Sequence, residues 1–515
     1  MGDVFYITTP IYYVNDLPHI GTAYTTLAAD VLARFKRQQG RKVFFLTGVD
    51  EHGQKVAQAA AEKNQSPQAW VDGMVAYFTD LWELLEISND DFIRTTQNRH
   101  TTVAQLFIEK LKANDDVYLG SYEGWYCVHD ESFLLSSQLV EGACPECHRP
   151  VDWVKEENYF FRLGKYADRV LEHIESHPDF IQPESRRNEV VSFIKSGLQD
   201  QSITRTSFTW GIPCPFDARH VTYVWFEALL NYLSAIGYGS DEERFRRTWP
   251  ADWHLMGKEI LRFHAVIWPA MLMAAGLPLP EHVFAHGWLT VEGQKMSKSL
   301  GNVVRPREIV DEYGVDAYRY YFMREFSFGI DGNFSRRTIF SRYNAELAND
   351  LGNLESRVLA MAEKYRGGLA PGAGAPGDEE RALEEKAASV FAGATAKLER
   401  LSFNEALAEI WEFVHAVNRY VDVSAPWALA RDESKRLELD TVLYNSMEGL
   451  RQIAMMIYPF MPGTAAKIWD HLGLEGTVGG AEIPASASWG LLPAGSATAR
   501  GEGLFPRKEA PAEET

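Results

Sequence analysis

Cysteine is scarce: four residues in a chain of 515 cannot staple a fold of this length, which excludes a disulfide scaffold. No apolar run approaches the ~20 residues that a membrane-spanning helix needs, so the sequence predicts no membrane role. Val4, Phe5, Tyr6 and Ile7 already read as a buried strand, leaving no stretch for a signal or transit peptide and predicting a cytoplasmic protein. Positive charge is short as well. Lys and Arg number 51 against 71 Asp and Glu, a net charge of −20, which disfavours nonspecific binding to nucleic acid. That average still permits a local basic track, for which Arg186, Arg187, Arg336, Arg337 and Arg342 are candidates. No internal repeat is found, and the length suggests about three domains.

What is present is alternation of strand and helix. Val4 to Ile7 form a strand, Asn15-Asp16-Leu17-Pro18 a turn, Ala23 to Gln39 a helix stopped by Gly40, and Val43-Phe44-Phe45-Leu46 a second strand, together one βαβ unit. An aromatic, turn-rich and cysteine-bearing stretch interrupts this pattern. The reading is therefore an α/β chain: a Rossmann-like parallel-sheet domain in two halves, 1–116 and 216–334, around a small knuckle-containing insertion at 117–215. Phe340, Tyr343, Leu347, Leu351, Leu354, Val358 and Met361 then recur at helical spacing, opening an all-α bundle over 335–472. A tail over 473–515 is expected to be partly ordered, with Leu504-Phe505-Pro506-Arg507 docking back.

Two segments carry phosphate chemistry. His19, Gly21 and Thr22 sit at the mouth of the first helix, where backbone N–H groups and the dipole favour an anion. Lys295-Met296-Ser297-Lys298-Ser299 follows a turn at Gly293 and places two ammonium groups and two hydroxyls on a segment able to fold over a polyphosphate. Elsewhere, Cys144-Pro145-Glu146-Cys147 is a CxxC knuckle, with Cys127 and Asp130 upstream at the same spacing. Three thiolates and a carboxylate make a tetrahedral Zn²⁺ site; the alternative is a metal-free knuckle held by packing. Cys214 reads as a buried thiol. Asn353 and Arg357 are four residues apart and share a helix face. No local Ser-His-Asp or Cys-His signature points to a protein nucleophile.

His19-Ile20-Gly21-Thr22 resembles the HIGH signature, and Lys295 to Ser299 the KMSKS signature, of class I aminoacyl-tRNA synthetases. The segments Ile7 to Asn15, Ala23 to Asp30, Gly48 to Gly53 and Val224 to Ala228 are similar to methionyl-tRNA synthetases. The resemblance runs from about residue 4 to about 470 and implies a catalytic Rossmann-like domain followed by an anticodon-binding bundle. It also implies an ATP-dependent ligase that forms methionyl-adenylate and transfers methionine to tRNA(Met), with Mg²⁺ accompanying ATP. The stretch at 117–215 has no room for the large hydrolytic domain carried there by relatives that handle leucine, isoleucine or valine.

Residue by residue, the resemblance implies that His19, Gly21, Thr22 and Ser297 meet ATP, and that Lys295 and Lys298 clamp the departing pyrophosphate. Thr22 departs from the signature, where His is commoner. Asp50 takes the methionine ammonium, and Ile11, Tyr13, Trp225, Ala228, Leu229, Tyr232 and His264 line the side-chain pocket. Asn353 and Arg357 read anticodon nucleotides, and Trp427 stacks on one of them. Ordinary packing stays open for the Trp225 stripe and for Trp427, and a helix cap for Asp50. A monomer is expected. The alternatives are another small class I synthetase, such as one for cysteine, or an inactive tRNA-binding paralogue.

Overall fold

The computed structural model describes residues 3–127, 132–134, 136, 139–145, 148–296 and 301–509. Strand β1, Phe5–Tyr13, is buried over its first six residues, as both faces of a central parallel strand must be. Strand β2 is Val43–Asp50 and β3 is Asp91–Arg94. The main sheet runs β3, β2, β1, Trp253–Gly257, His282–His286, Ile181–Gln182. The pairings of β2 with β3, of β1 with Trp253–Gly257, of that strand with His282–His286, and of the latter with Ile181–Gln182 are all parallel. Strand order reverses beside β1, and ligands of such sheets lie outside the carboxyl ends of the strands at this switch point. Where β2 pairs with β3, Gly48 is required, since a Cβ would stand 2.1 Å from the Ile93 carbonyl oxygen.

Residues 117–215 do not form one separate insertion. Val117–Cys127, Asp152–Phe161, Ser132–Leu134 and Gln201–Ser202 make a four-stranded antiparallel sheet. Between its last two strands, however, the chain adds Ile181–Gln182 to the edge of the main sheet, flanked by helices Ala167–Ser176 and Glu184–Lys195. A two-residue strand bounded by Pro183 is too short to carry a hydrophobic period, so its pairing is invisible in the sequence.

The chain divides into two compact units: one comprises the segment ending at Pro18, Phe44–Glu83 and Asn89–His286, the other His19–Val43, Leu84–Ser88 and the residues from Gly287 onward. Helix α1, Ile20–Gln38, thus belongs to the second unit, with the lysine loop and the bundle. A buried ion cluster explains the grouping. The Arg319 guanidinium, fully buried, reaches Asp30 of α1 at 2.7 Å and donates to the carbonyls of Leu85, Pro459 and Phe460. Burial would raise the Asp30 carboxyl, but Arg34 and Arg319 outweigh it and hold it at about 2.

The second unit continues with helices Pro306–Tyr313 and Val315–Glu325, then one helical run from Arg336 to Arg366 in which Tyr343–Gly352 is π-helical. Helices Asp378–Leu398, Phe403–Ser424, Arg436–Ile457 and Pro462–His471 complete the bundle. Phe505 is buried against Tyr343, whose hydroxyl donates to the Pro506 carbonyl at 2.9 Å. Arg336 and Arg342 are met by Glu308, Glu312, Glu325 and Glu346, and Arg186 by Glu189, so carboxylates oppose three members of the suggested basic track.

Candidate active site

In the second unit, α1 begins three residues earlier than the sequence suggests because His19 itself is the N-cap. Its Nδ1 accepts the Gly21 N–H at 3.0 Å, while the His19 N–H points to Thr22 Oγ1 at 3.5 Å, a reciprocal capping box. Histidine is not among the favoured caps, which hid the start. The bond also assigns the tautomer: Nδ1 supplies a lone pair, so in the neutral ring the proton resides on Nε2, as a donor. The departure at Thr22 gains a reason too, since its oxygen closes the cap.

Met296 reaches the same place. A Cβ added to Gly21 would lie 2.9 Å from His19 Cε1, so glycine lets the capping ring lie this close, and Met296 Cε stands 3.6 Å from the same point, at ordinary contact distance. Downstream of the loop, the Ile20 N–H donates to the Val304 carbonyl at 3.3 Å. Lys295 lies on a short strand, Gln294–Lys295, antiparallel to Leu289–Val291, with Nζ 4.6 Å from the Trp288 ring centroid. Ser297 and Lys298 lie outside the described residues.

In the first unit, the candidate amino-acid residues come from the carboxyl ends of strands and the segments that follow them. Ile11 and Tyr13 are half-buried at the end of β1, and the Val14 N–H donates to the carbonyl of Asp50, the last residue of β2. Asp50 is not a helix cap: the following helix, Gln54–Glu62, is capped at Gly53 without a side-chain bond. Trp225 and Ala228 share the five-residue helix Val224–Ala228, followed by Leu229 and Tyr232. Trp225 is only half-buried and stacks on Phe263, ring centroids 4.6 Å apart. Tyr232 OH meets His264 Nε2 at 2.7 Å, and His264 Nδ1 lies 3.0 Å from the Ile260 carbonyl oxygen. A carbonyl only accepts, so the His264 proton sits on Nδ1 and the tyrosine donates to Nε2. Burial lowers the His264 pKa to about 4, the Ile260 bond opposing only in part.

Sequence reasoning passed over the most enclosed charge of this unit. Glu227 is fully buried; its two oxygens meet His52 Nδ1 at 2.7 Å and His100 Nε2 at 2.6 Å. Burial pushes the carboxyl up, but the two imidazoles outweigh it and hold it below its ordinary range. Glu227 and His52 stand inside the motifs that carry the resemblance; His100 left no local signal.

At the knuckle, Cys127 and Cys144 are buried in one small cluster with Leu134. Asp130 and Cys147 lie outside the described residues, and among the described residues no three His, Cys, Asp or Glu side chains converge as a metal site. Two thiols buried in one cluster are donors of the type Zn²⁺ takes. In the bundle, Asn353 is exposed and Arg357 half-buried on helix Asn353–Arg366. Arg357 lies 6.0 Å from the Trp427 ring centroid and bonds Asp422 at 2.6 Å. Trp427 is 41% exposed, so it is not a core tryptophan.

The family model described as tRNA synthetases class I (M) matches residues 5–152 and 149–359, and that of the anticodon-binding domain of tRNA ligase matches residues 380–501. This chain belongs to the class I methionyl-tRNA synthetases. It is 54% identical over 512 residues to the methionine–tRNA ligase of Caldanaerobacter subterraneus subsp. tengcongensis, covering 98% of this chain and 79% of that protein. It is 49% identical over 520 residues to that of Streptomyces coelicolor, covering 98% and 97%. Among solved structures it resembles Mycobacterium tuberculosis methionyl-tRNA synthetase in complex with methionyl-adenylate, with TM-score 0.93 and 44% identity, covering 98% of this chain and 100% of that one. Within this family the signature segments are the two that meet at Gly21. Among the described residues no helix is long and apolar enough to cross a membrane.

Proposed function

We propose that this chain ligates methionine to tRNA(Met) in two steps, the first of which consumes ATP. A methionine carboxylate oxygen bonds the α-phosphorus of ATP, the bond to the bridging oxygen breaks, and pyrophosphate leaves. The terminal ribose hydroxyl of tRNA then attacks the adenylate carbonyl, loses its proton, and expels AMP. Neither step needs a protein nucleophile, so the protein's task is positioning and charge stabilisation. The observation that carries this reading is the approach of Met296 to the His19–Gly21 cap, which supports one triphosphate being held from two segments remote in sequence.

His19 donates from Nε2 to a phosphate oxygen, Thr22 adds a hydroxyl, and Gly21, without a side chain, lets the adenine or ribose approach the backbone. Ser297 meets ATP, and Lys295 and Lys298 neutralise the leaving pyrophosphate. Mg²⁺ enters with ATP and spreads the phosphate charge. Asp50 pairs with the methionine ammonium; Ile11, Tyr13, Trp225, Ala228, Leu229, Tyr232 and His264 enclose the thioether, with His264 neutral and Tyr232 committed to it. Such a pocket suits a flexible, polarisable side chain. Asn353, Arg357 and Trp427 engage the anticodon, and Cys127, Asp130, Cys144 and Cys147 hold a structural Zn²⁺. The chain works as a cytoplasmic monomer, all candidate groups belonging to a single polypeptide. Asp50→Ala and Trp225→Ala are expected to abolish methionine-dependent pyrophosphate exchange with the fold intact by circular dichroism; full exchange in either variant rejects the pocket.

A further inference from the structure

We propose that Glu227 is a positioning residue for methionine: its carboxylate, clasped by His52 and His100, holds the short helix bearing Trp225 and Ala228 in register with the strand end bearing Asp50. The proposal rests on the amino-acid pocket described above. Helix Val224–Ala228 has five residues and no side-chain cap, too few for stability of its own. It carries Trp225, so whatever anchors it sets that wall of the pocket. Residues two apart on a helix do not share a face, and Glu227 accordingly points away from the Trp225–Phe263 stack into the protein.

Two elements converge on this one carboxylate, and a third joins through His100. His52 stands two residues beyond Asp50, and the adjoining turn is tied to Trp210. The Trp210 ring lies edge-on to His52 at 5.5 Å, its indole N–H donates to the Glu51 carbonyl at 2.6 Å, and the Gly53 N–H donates to the Trp210 carbonyl at 3.2 Å. His100, on helix Asn98–Ala113, meets Ser234 Oγ at 3.0 Å through its other nitrogen. Ser234 ends the turn Asn231–Ser234 that bears Tyr232. Glu227 therefore connects the Asp50, Trp225 and Tyr232 elements without facing the pocket. A fully buried carboxylate is tolerated only when paired and hydrogen-bonded, so its position is dictated by the two imidazoles. That requirement turns a costly charge into a fixed distance between pocket walls.

The test compares Glu227→Gln, Asp50→Ala and the parent protein in pyrophosphate exchange, varying methionine and ATP separately. Gln keeps the shape and reaches both rings, but one imidazole must change tautomer and the charge is lost. We expect KM for methionine to rise roughly ten- to a hundredfold, by analogy with the rate cost of small misplacements, and KM for ATP to stay within about twofold. A purely structural role would lower the melting temperature and the active fraction while leaving both KM values alone, and that result overturns the proposal. Loss of exchange in Asp50→Ala together with an unchanged Glu227→Gln overturns the positioning role alone; an unchanged Asp50→Ala overturns the pocket beneath it. Should Glu227→Gln fail to fold, His52→Asn, which leaves the Glu227–His100 pair intact, gives the same reading. A methionine KM that does not rise in that variant refutes the link to Asp50.

Discussion

Lowering the pH from 7 to 4.5 should weaken this protein in part through one ring, His264. Its pKa of about 4 lies below the 6.5 of an unperturbed histidine, so the unfolded chain takes up a proton that the folded chain refuses. The contribution is present in full above about pH 6.5 and is lost progressively as pH falls toward 4. The full loss is about 3.5 kcal/mol, from ~2.5 units at ~1.4 kcal/mol each. Between pH 7 and 4.5 about 2 kcal/mol of it is realised. The comparison is His264→Gln, whose amide oxygen can accept from Tyr232 OH and whose NH₂ can donate to the Ile260 carbonyl, without titrating. Urea denaturation at the two pH values should give a parent protein that loses about 2 kcal/mol more than the variant. Histidine ring NMR supplies the direct check: at pH 5.5 His264 should be only about 3% protonated, where an ordinary histidine is about 90%. A ring midpoint near 6.5, or equal acid losses in the two proteins, refutes the assignment of His264 as a buried neutral acceptor.

Arg319→Met should be destabilising by about 3–5 kcal/mol, because it takes one of two guanidiniums from buried Asp30 and the donor from the carbonyls of Leu85, Pro459 and Phe460, read as an earlier urea transition; a shift under about 1 kcal/mol contradicts the ion cluster. Trp427→Ala should lower kcat/KM for tRNA by about ten- to a hundredfold, the value of a ~1–3 kcal/mol stacking contact, while methionine-dependent exchange is spared; equal losses in both would end the stacking role. Elemental analysis after zinc-replete expression should find about one Zn²⁺ per chain, and none would remove the zinc assignment.

The sequence made the architecture legible where periods are long. β1, α1, β2 and the bundle helices follow from apolar runs and helical stripes, and the parallel sheet from their alternation. It failed where an element is too short to have a period: Ile181–Gln182 joins the main sheet from inside a stretch that composition had set apart. The site was legible unevenly. His19, Gly21 and the lysine loop declared themselves through residue type and placement, whereas Ile11, Leu229 and Ala228 are apolar residues that only a resemblance separates from packing. Glu227, His52 and His100 show why. Their pairing spans 127 and 175 residues in sequence, and no local pattern announces which imidazoles will meet a carboxylate. The His19 cap was likewise hidden, because histidine rarely serves that position.

ATP–pyrophosphate exchange measured side by side with methionine and cysteine tests the central claim most directly. Exchange that depends on methionine, is absent with cysteine, and collapses in Lys298→Ala is the predicted result. Exchange with cysteine equal to that with methionine, or none with either in folded protein, contradicts it.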